Sequence, residues 1–409
     1  MQTLGLPQES YSYDAVHNRA TSGHQPGAWN YNEDNQLTQY PHLKAFEPAE
    51  QTLDTAVNYT AQGHTSKESN SRWTKDYHYS AAERLIRYTQ TSQGQSNPQI
   101  EAHYRYDPFG RRIAKTIQQG GTTKTTYYIY SEHGLMAEAD EEGKLTRAYG
   151  FNPIAAQQGL WSTDPIWQAN IHKGSLTSEQ TSYHYLHTDH LGTPMLATTK
   201  DGNTSWKAVS EAFGAAGVLQ SQSSITMNLR LPGQYFDEET HSHYNFHRDY
   251  RPNMGRYLQS DPIGTKGGVN VYIYARNNPL GGLDDRGLFS IVVIPIPPFE
   301  GSSPGKGCGD ISTDKFVPDK YVGFNFSSPC RKHDKCYGTC GSNKKVCDMV
   351  FYYDMLFECI KIFFIPPLYQ GCRLTATAYY GAVSAFGQSA FCAAQKEDCP
   401  DCSYIPGCL

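Results

Sequence analysis

A short unit recurs through the first 288 residues of this chain: two tyrosines flank one residue, and a turn then leads to arginine or leucine. The clearest copy is YRYDPFGRR at residues 104–112, and others begin at Tyr11, Trp29 and Tyr77. Alternating aromatic residues are typical of β-strands and Asp-Pro-x-Gly of tight turns, so each unit predicts a β-hairpin. Hairpins that cannot bury a face alone stack on their neighbours, which predicts a β-solenoid or coiled sheet. A sandwich of unrelated strands is the alternative.

Cysteine marks a second kind of construction further along the chain. All eleven cysteines lie between Cys308 and Cys408, and His333 is the only one of the fifteen histidines after residue 288. This change of composition predicts a domain boundary near the apolar run at residues 289–299. So many cysteines in about a hundred residues are typical of a disulfide framework in an oxidising compartment. Their odd number leaves at least one without a partner in this chain.

Charge and hydropathy exclude several classes of protein. The net charge is −5 and no basic stripe is present, so nucleic acid is not an expected partner. The first residues, MQTLGLP, lack the basic start and apolar core of a signal peptide, so we expect secretion by another export route. The longest apolar stretches, residues 289–299 and 360–369, are about half a membrane span and contain prolines, which predicts a soluble protein.

Four further motifs lie between residues 183 and 288. They are YLHTDHLGTP at residues 185–194, LPGQYFDEET at 231–240, GRYLQSDPIG at 255–264 and YIYARNNP at 272–279. With these motifs, the tyrosine unit resembles the Tyr-Asp (YD) repeat of Rhs proteins, and residues 183–288 resemble the repeat-associated core that closes them. The resemblance implies a β-shell over residues 1–288 that wraps around a toxin.

The same resemblance implies that the core cuts its own chain after a terminal Asp-Pro-x-Gly-Leu motif. Two aspartates act there as in an aspartic protease, since two carboxylates that share a proton can activate water and protonate a leaving amide. Matching the motifs assigns these roles to Asp261 and Asp284, with the cut after Leu288. This chain reads DDRGL at residues 284–288, without the proline, which leaves the efficiency of cleavage open. The alternative is that both aspartates occupy ordinary turns.

The cysteine-rich part contains the run CRKHDKCY at residues 330–337, followed by a Cys-Asp pair at 347–348. The preceding Ser-Ser-Pro predicts a helix start with serine as N-cap, and apolar periodicity predicts a second helix over about residues 344–363. If Cys336 bonds to Cys347, the helices are antiparallel and Asp348 lies opposite His333. A histidine held by a carboxylate has a fixed tautomer, and its other nitrogen can take a proton from water. A helix-surface histidine near a disulfide is the alternative.

A calcium site is predicted beside that histidine. Asp334 is placed to hold a cation, and the loop GKGCGDI at residues 305–311 can turn carbonyl oxygens towards one point, which suits calcium. A disulfide between Cys308 and Cys330 would fix this loop over the start of the histidine helix. Calcium would polarise an ester carbonyl while His333 deprotonates the attacking water.

These motifs resemble the active-site helix pair of secreted phospholipases A2, in the subgroup with a Gly-Cys-Gly calcium loop, over about residues 305–392. The resemblance implies His333 as general base, Asp348 as its orienting carboxylate and Asp334 as the calcium carboxylate. It also implies that three backbone carbonyls bind calcium, those of Gly307, Gly309 and Ile311. Two departures are Pro329, which replaces the first cysteine of a usual pair, and Ile311, where many members have glycine.

The predicted organisation is a YD-repeat region at residues 1–182, an Rhs core at 183–288, a linker at 289–304 and a small, mainly α, disulfide-rich phospholipase A2-like domain at 305–409. The predicted function is that of a secreted polymorphic toxin that hydrolyses the sn-2 ester of glycerophospholipids with Ca²⁺ at target membranes. The implied partners are a phospholipid membrane, a cognate immunity protein and a secretion apparatus such as type VI. The alternative is a catalytically silent membrane- or receptor-binding module on a surface adhesion fragment.

Overall fold

The protein, seen in a computed structural model, forms two compact units, Met1–Val293 and Ile294–Leu409. The structure describes residues 8–43, 51–153, 155, 160–288, 291–292, 320–321, 324–339, 342–360 and parts of 372–395. The predicted calcium loop at residues 305–311 and most of the predicted linker lie outside the described residues.

A sixteen-stranded antiparallel sheet dominates the first unit, and each of its strands pairs with the next one in sequence. Its strands are β3 (Asn30–Tyr31), β4 (Leu37–His42), β5 (Leu53–Tyr59), β6 (Thr65–Ser69), β7 (Trp73–Tyr79), β8 (Leu85–Ser92), β9 (Ile100–Tyr106), β10 (Arg112–Gln119), β11 (Thr122–Ser131), β12 (Gly134–Ala139), β13 (Leu145–Phe151), β14 (Pro165–Asn170), β15 (Ser182–Thr188), β16 (Pro194–Thr198), β17 (Thr204–Ser210) and β18 (Ala216–Val218). A separate hairpin precedes them, formed by β1 (Tyr11–Tyr13) and β2 (Arg19–Ser22). The prediction of a β-rich repeat region is confirmed, and the sheet continues through residue 183 without a break.

The turns of five repeats are each held by one carboxylate or amide side chain. Oδ1 of Asp107 accepts hydrogen bonds from the backbone amides of Phe109 and Arg111, both at 2.9 Å. Gly110 completes the turn at a φ of +84°, a conformation that glycine adopts without strain. The same two bonds, to the residues two and four positions later, are made in four other units by Asp14, Asn32, Asp140 and Asp189.

The second tyrosine of each unit ties it to the unit before. The hydroxyl of Tyr106 donates to the carbonyl oxygen of Leu85 at 2.8 Å, and Leu85 is the first strand residue after the preceding turn. Four other tyrosines make the corresponding bond, in the pairs Tyr31–Arg19, Tyr59–Leu37, Tyr79–Thr65 and Tyr130–Arg112. The residue that follows the turn, an arginine or leucine in four cases and Thr65 in the fifth, is therefore the attachment point of the next tyrosine.

One face of the large sheet is covered by a four-stranded sheet from the predicted core region. Its strands are β19 (Tyr235–Asp237), β20 (Ser242–Asn245), β21 (Arg248–Arg251) and β22 (Arg256–Tyr257). Met254 and Leu258 pack among buried tyrosines of the sheet, and buried ion pairs join the two layers. Arg112 binds Asp237 through two nitrogens at 2.5 and 2.9 Å, and Arg251 lies 3.2 Å from Glu68. A last hairpin follows, from β23 (Gly282–Leu283) and β24 (Ile291–Val292).

The second unit is built on two helices, α1 (Ser327–Tyr337) and α2 (Lys344–Ile360), preceded by a hairpin of β25 (Lys320–Tyr321) and β26 (Phe324–Asn325). Its core contains Phe351, Met355 and the disulfide between Cys359 and Cys372. The prediction of a mainly helical unit with disulfides is confirmed. Serine is not the N-cap of α1: Phe326 occupies that position, and the Asn325 side chain accepts the Ser327 amide at 2.9 Å instead. Among the described residues, no helix has the length and apolar character needed to cross a bilayer.

Candidate active sites

The two helices of the second unit bring His333 and Asp348 together. Nε2 of His333 lies 3.1 Å from Oδ1 of Asp348, and both side chains are buried, at 7 % and 2 % exposure. Asp348 lies one turn into α2, next to Cys347, which forms a disulfide with Cys336 of α1. Within the part of the chain that the structure describes, the other ring nitrogen, Nδ1, has no hydrogen-bond partner. A proton on Nε2 therefore leaves the lone pair of Nδ1 available.

The carboxylate of Asp348 accepts two further hydrogen bonds. The Tyr337 hydroxyl donates to Oδ1 at 2.6 Å, and Nζ of Lys344 donates to Oδ2 at 2.7 Å. Burial alone would raise the pKa of Asp348, but the bonds from His333, Lys344 and Tyr337 outweigh it and lower that pKa. Asp348 is therefore held ionised, as a carboxylate that orients an imidazole has to be.

Aromatic rings fix the plane of the histidine. The His333 ring stacks on Phe351 with centroids 4.4 Å apart and contacts the Tyr337 ring at 4.1 Å. Gln395 supports Tyr337 in turn, because its Nε2 donates to the Tyr337 carbonyl oxygen at 2.6 Å. The imidazole thus has its position set by packing and its rotation set by Asp348.

The other predicted residues of this site are described only in part. Asp334 is half-buried on α1, next to His333, and its charge is close enough to raise the pKa of Tyr337 further, after burial and the Asp348 bond. Its carboxylate is a hard oxygen ligand that suits calcium. The predicted carbonyl ligands, Gly307, Gly309 and Ile311, lie outside the described residues. Cys330 is disulfide-bonded, but its predicted partner Cys308 is likewise outside them.

The first unit contains the second predicted constellation. The side chains of Asp261 and Asp284 are 6 % and 2 % exposed and face the same guanidinium nitrogen, because Nη2 of Arg248 lies 3.1 Å from Asp261 and 3.3 Å from Asp284. Arg248 also donates from Nε to the Gly287 carbonyl oxygen at 2.6 Å and lies 3.7 Å from the Tyr257 ring centroid. The arginine therefore connects both aspartates to the turn that ends at Leu288.

The predicted cut site lies against both carboxylates. The Leu288 amide donates to Oδ1 of Asp284 at 3.0 Å, and the Tyr257 hydroxyl donates to Oδ2 at 2.8 Å. A Cβ added at Gly267 would lie 2.6 Å from Oδ2 of Asp261 and 3.4 Å from the Leu288 carbonyl oxygen. The carboxylate of Asp261 and the carbonyl oxygen of Leu288 therefore both lie beside Gly267.

Burial makes these carboxyl groups weak acids. It raises the pKa of Asp261 to about 6, although Arg248 opposes the shift. Burial also raises the pKa of Asp284, against the opposing effects of Arg248 and Tyr257. One proton can therefore be retained by the pair near neutral pH, which is the state that acid–base cleavage of an amide needs.

Sequence reasoning missed four supporting residues: Tyr337, Lys344, Arg248 and Tyr257. Two of them had a usable signal, because Tyr337 follows His333 by four positions and Lys344 precedes Asp348 by four, the spacing of one helix face. No pattern in the sequence pointed to Arg248 or Tyr257. Their roles depend on the pairing of β21 with β22, which the sequence alone did not establish.

The tyrosine-repeat sheet and the aspartate turn packed with its core region agree with the YD-repeat organisation that the sequence predicts for the first unit. Residues 184–220 match the family model described as RHS protein. This match supports the predicted Rhs-type core over that part of the first unit.

Known proteins resemble this chain over part of its length. Toxin protein Tse5 of Pseudomonas aeruginosa is 32 % identical over 231 residues, which cover 53 % of this chain and 17 % of that protein. Double-stranded DNA deaminase toxin A of Burkholderia cenocepacia is 30 % identical over 263 residues, which cover 59 % and 18 %. The chain thus spans less than a fifth of these relatives. The crystal structure of TcdB2-TccC3-TEV aligns with 68 % of this chain and 17 % of that one, at 17 % identity and a TM-score of 0.41.

Proposed function

We propose that the second unit is a calcium-dependent phospholipase A2 that hydrolyses the sn-2 ester of membrane glycerophospholipids. The observation that carries the proposal is the buried His333–Asp348 pair, clamped by the Cys336–Cys347 disulfide, with Nδ1 of His333 available. A histidine oriented by an ionised carboxylate is the arrangement that activates water for direct attack on an ester.

In the proposed reaction, Nδ1 of His333 removes a proton from water while the water oxygen bonds to the ester carbonyl carbon. Asp348 stabilises the imidazolium that forms, and Tyr337 and Lys344 keep Asp348 ionised and in place. The tetrahedral intermediate then collapses: the bond from carbon to the glycerol oxygen breaks, and His333 returns the proton to that oxygen. Calcium, bound by Asp334 and the predicted carbonyls of Gly307, Gly309 and Ile311, would stabilise the developing negative charge on the carbonyl oxygen.

The first unit is proposed to release this enzyme by cutting the peptide bond after Leu288. One of the two carboxylates, Asp261 or Asp284, takes a proton from water as the water attacks the Leu288 carbonyl carbon. The proton held by the other goes to the leaving nitrogen as the C–N bond breaks. The hydrogen bond from the Leu288 amide to Asp284, the shared Arg248 and the raised pKa of Asp261 support this assignment. Asp285 stands where the implied motif has proline.

A toxin role for the whole protein is proposed from its relatives, since proteins named as toxins match about half of this chain. On this proposal the chain is secreted through an export apparatus such as a type VI system. A cognate immunity protein protects the producing cell by blocking the His333 site.

Nucleic acid is the competing substrate class, because one relative is named a double-stranded DNA deaminase. The oriented histidine and its neighbouring carboxylate favour ester hydrolysis. A silent membrane- or receptor-binding module is the remaining alternative, and it predicts binding without turnover.

The experiment uses the full chain after oxidative folding, on mixed phosphatidylethanolamine and phosphatidylglycerol vesicles and, separately, on double-stranded DNA. Fatty-acid release is followed with calcium or with a chelator, for the native protein and for His333→Ala. Release that requires both calcium and His333 supports the phospholipase. If the protein converts DNA even with the chelator present and releases no fatty acid from vesicles, nucleic acid is favoured as the substrate. If it binds vesicles but releases no fatty acid, the silent binding module is favoured.

A further inference from the structure

Asp285 is a buried carboxylate beside the proposed cut site that the proposed chemistry does not use. It is 7 % exposed and immediately follows Asp284. Its Oδ2 accepts the backbone amide of Trp161 at 2.6 Å, a bond between residues 124 positions apart. A short, buried hydrogen bond to an ionisable group is among the stronger interactions of its kind.

Trp161 belongs to the connection between β13 and β14 of the repeat sheet and is itself fixed. Its ring stacks on Tyr130 of β11 with centroids 5.8 Å apart and meets the edge of Phe246 at 5.2 Å. The guanidinium of Arg286 lies 5.6 Å from the same ring centroid. The amide that binds Asp285 is therefore presented by a segment anchored to the large sheet.

The backbone of Asp285 is also enclosed. A Cβ on Gly233 would lie 2.0 Å from the Asp285 carbonyl oxygen, and Gly233 has a φ of +77°, so a larger residue there is doubly unfavourable. The Gly233 amide donates to the carbonyl oxygen of Ser162, next to Trp161, at 3.3 Å. Asp285 thus lies between the turn at Gly233 and the Trp161 segment, while Asp284 and Gly287 are held from the other side by Arg248.

We propose that Asp285 is a positioning residue for self-cleavage, because its carboxylate tethers the turn that carries Asp284 and Leu288 to the repeat sheet through the Trp161 amide. This inference rests on the proposed self-cleavage. The tether restrains the turn as a proline at this position would restrain it by fixing φ. Cleavage thereby depends on a correctly docked repeat sheet, since displacement of Trp161 loosens the turn that carries Asp284 and Leu288.

To test this, the full chain is synthesised in a cell-free system. The appearance of the 1–288 and 289–409 fragments is then followed with time by mass spectrometry. Asp285→Ala is expected to slow cleavage by about tenfold or more, because small displacements at a reacting carbonyl are costly. Asp285→Asn keeps an oxygen acceptor and is expected to remain within about threefold of the native rate. Asp285→Pro is expected to cleave faster than Asp285→Ala. Asp201→Ala, at an exposed aspartate of a surface turn, is the control.

A native rate in Asp285→Ala, or equal slowing in Asp285→Ala and Asp285→Asn, would overturn the tether. The tether between Asp285 and the Trp161 amide can also be tested without cleavage, by measuring amide hydrogen exchange in the Asp261→Asn chain. Faster exchange at Trp161 and Leu288 in Asp285→Ala but not in Asp285→Asn supports the tether even if the native chain proves not to cut itself. Unchanged exchange at both amides contradicts it.

Discussion

The backbone amide of Leu288 donates a 3.0 Å hydrogen bond to the carboxylate of Asp284, four residues earlier. The residue before the proposed cut and one of the two proposed acids thus close a single turn, and Arg248 connects that turn to Asp261. The position of Leu288 is therefore set within one turn, by its bond to Asp284. The second acid, Asp261, comes from a separate segment of the chain.

Replacing either acid is expected to stop self-cleavage. Asp284→Asn and Asp261→Asn each remove a group that must exchange a proton with water or the leaving amide, so we expect a loss of about a hundredfold or more. The measurement is the fraction of full chain cut with time after synthesis. Asp201→Asn is the matched control at an exposed carboxylate. Unaltered cutting in both variants would assign these aspartates to ordinary turns.

Self-cleavage is expected to slow as the pH rises above about 6. Burial raises the pKa of Asp261 to about 6, so this group holds a proton below that pH and loses it above. If the Asp261 proton is the one donated to the leaving nitrogen, the rate follows the protonated fraction. Rates of fragment release between pH 4.5 and 8 in the native chain check this. A rate that increases through pH 6 to 8 contradicts the assignment.

Phospholipid hydrolysis is expected to depend on both members of the histidine pair. His333→Ala removes the base, and we expect a loss of about a thousandfold or more in kcat. Asp348→Asn leaves the imidazole without an anionic partner, and a loss of about a hundredfold to ten-thousandfold is expected. The matched control is Asp354→Asn on the same helix, whose carboxylate pairs with Lys332, 3.1 Å away. Fatty-acid release with calcium present is the measurement, and equal losses in Asp348→Asn and Asp354→Asn would refute the pairing.

The sequence predicted the elements whose information is local. The Tyr-x-Tyr period and the Asp-Pro-x-Gly turn predicted hairpins because the residues that form a hairpin all lie within about ten positions of one another. The positions of His333 and Asp348 followed from helix periodicity and one disulfide, which is also short-range information. Both helices and the Cys336–Cys347 bond are found where that reasoning put them.

What the sequence did not show depends on contacts between distant segments. Arg248 reaches Asp261 and Asp284 only after β21 pairs with β22. The Trp161 amide meets Asp285 across 124 positions of sequence. The N-cap of α1 is Phe326, outside the Ser-Ser-Pro run, and the Asn325 side chain accepts the Ser327 amide. Helix boundaries are set by such individual bonds, which periodicity does not reveal.

The bond from each tyrosine to the preceding unit is expected to contribute measurably to stability. Tyr106→Phe removes only the hydroxyl that donates to the Leu85 carbonyl oxygen at 2.8 Å. We expect a loss of about 0.5–1.5 kcal/mol in the free energy of unfolding, measured by urea denaturation of the Asp261→Asn chain. Tyr127→Phe is the matched control on a neighbouring strand, because Tyr127 is 42 % exposed. A similar change in both variants would mean that the repeat bonds add no stability.

The Cys336–Cys347 disulfide is expected to serve catalysis as well as stability. It joins α1 to α2 beside the histidine pair and spans 11 residues, whereas the Cys359–Cys372 bond spans 13 and lies in the core. Loops of such similar length stabilise the folded state by similar amounts, about 3 kcal/mol each. Replacing either pair with serine should therefore lower the unfolding temperature of the second unit to a similar extent.

The two serine variants should nevertheless differ in activity. Without the Cys336–Cys347 bond, α2 can shift along α1, and a displacement of about 1 Å between His333 and Asp348 is expected to lower kcat by about a hundredfold at temperatures where the protein remains folded. Without the Cys359–Cys372 bond, kcat is expected to remain within about threefold of the native value, because the Cys336–Cys347 disulfide still holds the helices of the histidine pair together. Fatty-acid release and thermal unfolding, measured on the same samples, separate the two effects. Equal losses of kcat at equal stability would show that both bonds act only by holding the unit folded.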